Sequence, residues 1–206
     1  PGLMIDNCAS GGRRIDLELC MRSIPFWRSD TNCSPSHCDW NQAQTLGMCP
    51  YVPLNMACAW QPDAYEMRSA GTAGIICQWH YMDESFPLEE GRKALAEVME
   101  NRPYWYGDLY PVAGFSPDEG HWSAFQFHRP DLDAGLVLVF RRAKSAYTGL
   151  AAGLRGVRPD RSYEVTFIDG DHGRTEKTMT GAELGDAELR LPKARGSLIV
   201  RYRAAG

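Results

Sequence analysis

The chain has 206 residues, of which 44% are hydrophobic and 23% are charged, and its formal net charge is −4. These are ordinary values for a globular protein, and the length suffices for one substantial core or two modest ones. The acidic balance, without a run of Lys and Arg, argues against nucleic-acid binding. No apolar run approaches the roughly 18 residues that a membrane helix needs.

Residues 1–104 alternate short apolar segments with helical patterns, which predicts βα units with about four parallel strands. The expected strands are LMIDNC (3–8), MRSIPFW (21–27), the part of YVPLNMACAW (51–60) that follows Pro53, and TAGIICQWHYM (72–82). The last segment is almost continuously apolar, which is typical of a strand buried on both faces. The spacing over 87–102 predicts an amphipathic helix with Leu95, Val98 and Met99 facing the core.

Residues 105–206 form the second predicted region. It opens with a Gly-, Pro- and Tyr-rich transition over about 104–120, and the pattern after this transition is all-β. The expected strands are WSAFQFHR (122–129), AGLVLVFRR (134–142), RSYEVTFID (161–169), RTEKTMT (174–180) and SLIVRYR (197–203). Turn signals separate them at 129–131, 158–160 and 169–171. Short strands at this spacing predict an antiparallel β-sandwich.

Polar residues follow the first two expected strands. Asn7 and Cys8 end the first one, and a Gly-rich turn with two arginines comes next. The second one ends in Trp-Arg-Ser and a lone carboxylate, Asp30. A (β/α) barrel builds its active site from such groups at the C-terminal ends of its strands. The alternative interpretation is that Asp30 only caps the following turn.

All seven cysteines lie between Cys8 and Cys77, so at least one thiol is free because their number is odd. This pattern favours a reducing compartment such as the cytoplasm over a disulfide framework. Cys33, His37 and Cys38 are close in sequence, but no paired CxxC accompanies them. The sequence therefore predicts a loop with incidental thiols or one local disulfide, and neither a metal site nor a cofactor.

Two motifs carry a resemblance to a known family. They are Cys8-Ala9-Ser10-Gly11-Gly12-Arg13-Arg14-Ile15-Asp16 and Trp27-Arg28-Ser29-Asp30. The pair resembles glycoside hydrolase family 36, the α-galactosidases or melibiases, whose members carry Cys-Ser-Gly-Gly-Gly-Gly-Arg-Phe-Asp and Trp-(Thr/Arg)-Ser-Asp after successive barrel strands. The first motif departs from that pattern at Ala9, Ser10, Arg13 and Ile15. Residues 102–108, 125–130 and 140–142 are similar to the start of the family's C-terminal β domain.

The resemblance implies roles for individual residues. Asp30 would be the general acid/base, Cys8 and Gly11 would line a galactose pocket, and Arg14 would contact the sugar or orient the loop. Asp6 and Asp83 are candidates for hydrogen bonds to sugar hydroxyls, with a purely structural role as the alternative. The family's nucleophile, an Asp in a Lys-x-Asp motif on an earlier barrel strand, has no counterpart in this sequence.

The resemblance thus implies a partial, half (β/α)8 TIM-type barrel over 1–104, followed by the β-sandwich over 105–206. The expected function is hydrolysis of terminal α-galactosides by a retaining glycosidase, here as a fragment lacking the nucleophile strand. The alternative is a non-catalytic carbohydrate-binding or self-assembling half-barrel. The expected partners are an α-galactoside or related sugar, and either a second copy or a complementary N-terminal half, because a half-barrel leaves open sheet edges.

Overall fold

The computed structural model describes residues 2–8, 10–35 and 37–206. Ala9, one of the departures from the family motif, lies outside the described residues. The chain divides into two compact units, Pro1–Trp105 and Tyr106–Gly206, which we call the first and the second unit. Among the described residues, none of the helices combines the length and apolar character needed to cross a bilayer.

The first unit alternates helices with parallel strands. In chain order its elements are α1 (Leu17–Cys20), β1 (Phe26–Trp27), α2 (Cys38–Met48), β2 (Asn55–Ala59), α3 (Ala64–Ser69), β3 (Gly74–Cys77) and α4 (Leu88–Asn101). The sheet order is β1-β2-β3, with both pairs parallel. Asn7 adds an isolated parallel bridge to Phe26, so the segment predicted as the first strand is reduced to a bridge beside β1.

β3 differs from its prediction as a strand buried on both faces. It is only four residues long and partly exposed, with 37% exposure at Ile76. The reason is its place in the sheet. β3 pairs with β2 on one side and, among the described residues, has no strand on the other. The apolar run therefore marks a sheet edge.

Helix α4 forms where it was predicted, but of the three residues expected to face the core only Val98 packs against it. Leu95 and Met99 are 44% and 58% exposed, and Val98 is only partly buried. The buried positions are Gly91, Ala94, Glu97 and Asn101. Small residues let the helix approach closely, because a Cβ on Gly91 would lie 3.2 Å from Trp79.

An ion pair between α3 and α4 explains the buried charge on that face. Arg68 Nε donates to Glu97 Oε1 at 2.8 Å, and Arg68 Nη2 donates to Glu97 Oε2 at 2.7 Å. Both side chains are almost fully buried, at 1% and 6% exposure. The two-point geometry joins the helices in one fixed orientation.

The second unit is built mainly from antiparallel strands. Its elements are β4 (Asp108–Pro111), β5 (Ser123–Arg129), β6 (Ala134–Arg141), β7 (Gly149–Ala151), β8 (Ser162–Ile168), β9 (Arg174–Thr180), α5 (Gly181–Gly185), β10 (Glu188–Arg190) and β11 (Gly196–Ala204). Six of these strands form one sheet in the order β4-β5-β6-β11-β8-β9, and β7 pairs with β10. All five predicted strands of this region are present, and the arrangement is consistent with a β-sandwich.

The core of the second unit lies between these two sheets. It contains alternate residues of the central strands, such as Val137, Val139 and Val200, together with Leu154 and Leu189. Tight turns at 130–133 and 169–173 connect the hairpins β5–β6 and β8–β9. Two of the three turn signals in the sequence fall on these connections, and the third lies directly before β8.

Candidate functional site

The site lies in the first unit, where the C-terminal ends of its parallel segments meet. A cavity of about 470 Å³ opens there. Its lining residues are Asp6, Cys8, Ser10, Trp27, Asp30, Asn32, Cys33, Met56, Cys58, Trp60, Ile76 and Gln78. Carboxylates, indoles, amides and thiols thus share one concave surface. Such a mixture of apolar walls and a few polar groups is typical of a small-molecule site.

Asp30 occupies a defined position at this cavity. Trp27 Nε1 donates a hydrogen bond to Asp30 Oδ1 at 2.9 Å, which fixes the carboxylate beside the last residue of β1. Asp30 begins a 3-10 turn over Asp30–Cys33, but Ser29 is the cap, since its Oγ accepts from Thr31 N at 3.2 Å. The exposed Asp30 carboxylate therefore remains available to a ligand.

The Gly-rich turn packs directly against the end of β1. Gly11 and Gly12 have φ values of +74° and +79°, in the left-handed region that glycine adopts without strain. A Cβ on Gly11 would lie 3.0 Å from Asp30 N, and one on Gly12 would lie 2.7 Å from Arg28 O. The glycines therefore satisfy two demands, the turn itself and its close approach to the residues around Asp30.

Of the four predicted site residues, Cys8 and Asp30 line the cavity and Gly11 lies against Asp30. Arg14 is exposed and is not among the lining residues. Asp6 lines the cavity, whereas Asp83 is exposed in a turn elsewhere. The structure thus brings together the strand-end residues of both motifs but leaves Arg14 and Asp83 outside the cavity.

Arg28 was not predicted as a functional residue, yet it stabilises the end of β1 next to Asp30 without lining the cavity itself. It is 3% exposed. Its Nη1 donates to Thr45 Oγ1 at 2.9 Å and Asn55 Oδ1 at 3.2 Å, and its Nη2 donates to Asn41 O at 2.8 Å. Burial lowers the pKa of this guanidinium to about 10. These bonds tie the end of β1 to α2 and β2, and so hold Asp30 in place.

Three of the thiols lie at the cavity. Cys8 and Cys33 are exposed and Cys58 is buried, and all three are free thiols. Burial, together with a smaller contribution from the nearby Cys33, raises the pKa of Cys58 to about 11. Cys58 is therefore an apolar wall residue at neutral pH. Within the described ranges, no group of three or more His, Cys, Asp or Glu side chains is arranged to hold a metal ion.

Comparison with known proteins places this fold among characterised structures. The galactosidase domain of the α-galactosidase-sucrose kinase AgaSK superposes with a TM-score of 0.73 at 18% identity. The GH36 α-galactosidase AgaA from Geobacillus stearothermophilus, solved with 1-deoxygalactonojirimycin, gives 0.75 at 18%. The α-galactosidase from Lactobacillus brevis gives 0.74 at 17%.

Each of these alignments covers 98% of this chain but only 29% of the other protein. No family model matches the sequence. No curated protein matches it either. At such identities the likeness establishes a shared fold, and the predicted resemblance to GH36 α-galactosidases is confirmed at that level. The chain spans less than a third of the length of these structures.

Proposed function

We propose that this chain is the C-terminal part of an α-galactosidase-like retaining glycoside hydrolase. In this proposal residues 1–104 form the C-terminal half of a (β/α)8 barrel, and residues 105–206 form its C-terminal antiparallel β domain. The observation that carries the proposal is the position of Asp30, at the C-terminal end of a parallel strand and open to a cavity of sugar-sized volume. The shared fold with GH36 enzymes supports it.

In the proposed mechanism Asp30 is the general acid/base. It protonates the glycosidic oxygen as the bond breaks, and it later removes a proton from the attacking water. A retaining enzyme needs a nucleophilic carboxylate about 5–5.5 Å away. We assign that role to an aspartate on a barrel strand that these residues do not include. Asp6, the other carboxylate that lines the cavity, would accept hydrogen bonds from sugar hydroxyls.

The remaining roles follow from position. Cys8 would form part of the wall of the sugar pocket, and Gly11 would allow the turn to lie against Asp30. Arg14 would orient the loop, since its side chain is exposed and away from the cavity lining. The substrate class proposed is a terminal α-galactoside. Neither a cofactor nor a metal takes part in the proposed chemistry.

We expect Asp30→Asn to slow hydrolysis of an aryl α-galactoside about a hundredfold or more, measured with the barrel half that carries the nucleophile supplied as a second chain. The amide has the same shape as the carboxylate but cannot exchange the proton, so galactose binding should persist. Release of the aryl alcohol and binding of galactose are both measured. Asp83→Asn is the matched control, because Asp83 is exposed and does not line the cavity. Unchanged activity in Asp30→Asn would refute the acid/base assignment.

A second candidate function is non-catalytic sugar binding. Two indoles, Trp27 and Trp60, line the cavity, while the sequence has no Lys-x-Asp motif for a nucleophile. Aromatic rings favour sugar binding through their apolar faces. Galactose binding by the chain, with no hydrolysis even when the barrel half that carries the nucleophile is supplied, would support this second function over the first.

We further propose that the first unit associates, either with a second copy or with a separate N-terminal half. Exposed apolar side chains lie in the segment that leads to the Asn7 bridge, with 82% exposure at Leu3 and 75% at Met4, and on the edge strand β3, with 37% at Ile76. Natural proteins pair or cover such edges. Light scattering of the purified chain at micromolar concentration should therefore give a mass above that of a monomer.

A matched pair of variants tests this association. Met4→Lys adds a charge in the exposed apolar segment before the Asn7 bridge and should shift the chain toward the monomer. Met82→Lys is the control, because Met82 is 85% exposed in a loop outside the sheet. A monodisperse monomer of the unmodified chain would contradict association with a second copy and leave only the separate N-terminal half as the partner.

A further inference from the structure

Trp60 is a cavity residue that neither motif assigns. It follows the last residue of β2 and lines the same cavity as Asp30. Its ring is partly buried and packs against Trp27, Met56 and Cys58. A large aromatic ring is therefore present at a strand end of the candidate site, with part of its surface turned to the cavity.

The backbone of Trp60 is fixed by a buried carboxylate. Glu66 is 4% exposed, and its Oε1 accepts hydrogen bonds from the backbone N–H groups of Trp60 and Gln61, the latter at 3.1 Å. Glu66 itself is held at the start of α3, because its backbone N–H donates to Asp63 Oδ1 at 3.0 Å. A charged acceptor for two backbone donors makes this loop conformation rigid.

The ring of Trp60 is fixed at its other end. Its Nε1–H donates to the backbone oxygen of Asn32 at 2.9 Å. Asn32 is 4% exposed, and its Nδ2 donates to Ser29 O at 2.9 Å, one residue before Asp30. The indole is thus bound to the turn that carries Asp30. A ring whose orientation is set in advance loses little conformational freedom when a ligand binds.

We propose that Trp60 is the stacking platform that selects a galacto-configured sugar, and that Glu66 is its positioning residue. The proposal rests on the sugar-binding function proposed above. The axial hydroxyl at C4 of galactose leaves the hydrogens of C3, C4 and C5 together on the opposite face. That face is a continuous apolar patch, which an indole can cover. Glucose lacks this patch, so the platform discriminates between the two sugars.

NMR titration of the full chain with galactose and with glucose tests the platform, because it measures the affinity for each sugar. Trp60→Ala and Trp60→Leu should both weaken galactose binding about tenfold, because neither has an aromatic face. Trp60→Phe should stay within about threefold of the unmodified chain, since it keeps a ring but loses the bond to Asn32. The ratio of galactose to glucose affinity should fall with Trp60→Leu. Trp40→Ala is the control, because Trp40 stacks on His37 and does not line the cavity.

The outcomes separate the two proposals. Galactose binding that is equal in Trp60→Leu and in the unmodified chain would overturn the platform and leave the sugar site standing. Equal loss of galactose and glucose binding would overturn the selectivity. Absence of any sugar binding in the unmodified chain would overturn the proposed function itself, and the platform with it.

Glu66 is tested by hydrogen exchange of the Trp60 indole N–H, assigned from its absence in Trp60→Phe. Glu66→Ala leaves the backbone donors of Trp60 and Gln61 without this acceptor, so the indole N–H should exchange about tenfold faster. Glu66→Gln retains an acceptor oxygen and should restore slow exchange and galactose affinity together. Unchanged exchange in Glu66→Ala would overturn the positioning role.

Discussion

Replacing Glu97 by alanine is expected to lower the free energy of unfolding of the first unit by about 3–5 kcal/mol. The change removes the carboxylate that binds two nitrogens of Arg68, and both side chains are almost fully buried. A buried guanidinium that loses such a partner keeps its desolvation cost. Five of the six tryptophans lie within Pro1–Trp105, so denaturant unfolding followed by tryptophan fluorescence reports mainly on this unit.

Glu89→Ala is the matched control, on the same helix. Glu89 forms an ion pair with Arg92, but their side chains are 73% and 66% exposed. Exposed pairs contribute about 0–1 kcal/mol, so this change should barely shift the transition. Equal changes in the free energy of unfolding for the two substitutions would show that the buried pair stabilises the first unit no more than an exposed pair does.

Arg28→Ala is expected to lower the free energy of unfolding by about 3–5 kcal/mol as well. The guanidinium supplies hydrogen bonds to Asn41, Thr45 and Asn55 in a buried site, where loss of hydrogen bonds from a charged donor is costly. The same fluorescence measurement applies. Because these bonds hold the end of β1, galactose binding should weaken too, under conditions in which the variant is still folded.

Arg22→Ala provides the comparison for this second prediction. Arg22 pairs with Glu18, and both side chains are mostly exposed, at 67% and 72%. Its removal should change the free energy of unfolding by less than about 0.5 kcal/mol. An Arg28→Ala variant as stable as Arg22→Ala would mean that the buried guanidinium does not support the site.

The five long strands of the second unit were predictable from sequence, because the alternation and turn residues that specify each of them are close together in the chain. The turn at 130–133 joins β5 to β6, and these two strands pair with each other. The residues that specify this hairpin therefore lie within a short stretch of the sequence. The predicted segment 134–142 matches β6 (Ala134–Arg141) to within one residue. Hairpins of this kind need only neighbouring residues to be specified.

The first unit was harder to predict from sequence, because contacts between distant residues decide which positions of its helices are buried. The apolar positions Leu95 and Met99 predict one face of α4, while the ion pair of Glu97 buries another. A charged residue is ordinarily assigned to solvent, and only its partner on α3 reverses this. The partner is 29 positions away in sequence, so no window along the helix contains that information.

The candidate site was found in part. The motifs predicted the strand-end position of Asp30 and Cys8, because their spacing is specific. Trp60 and Arg28 escaped prediction for a different reason. The position of Trp60 is set by a hydrogen bond from its backbone N–H to Glu66. The burial of Arg28 is possible because α2 and β2 supply hydrogen-bond acceptors for its guanidinium. An arginine beside a strand end is ordinarily assigned to a ligand or to the surface.

The position of β11 has a consequence for how the second unit folds. β5–β6 and β8–β9 are hairpins of adjacent strands, whereas β11 lies between β6 and β8 and pairs with both along most of its length. The hairpins can form early from nearby residues, but closure of the long loop that brings Gly196 to Arg141 is slower. Until β11 inserts, β6 and β8 each have an unpaired edge, and the residues of β6 are all buried in the folded unit. We therefore expect the pairing of β11 to be the slowest step in the folding of this unit, because it covers these edges only after the long loop has closed.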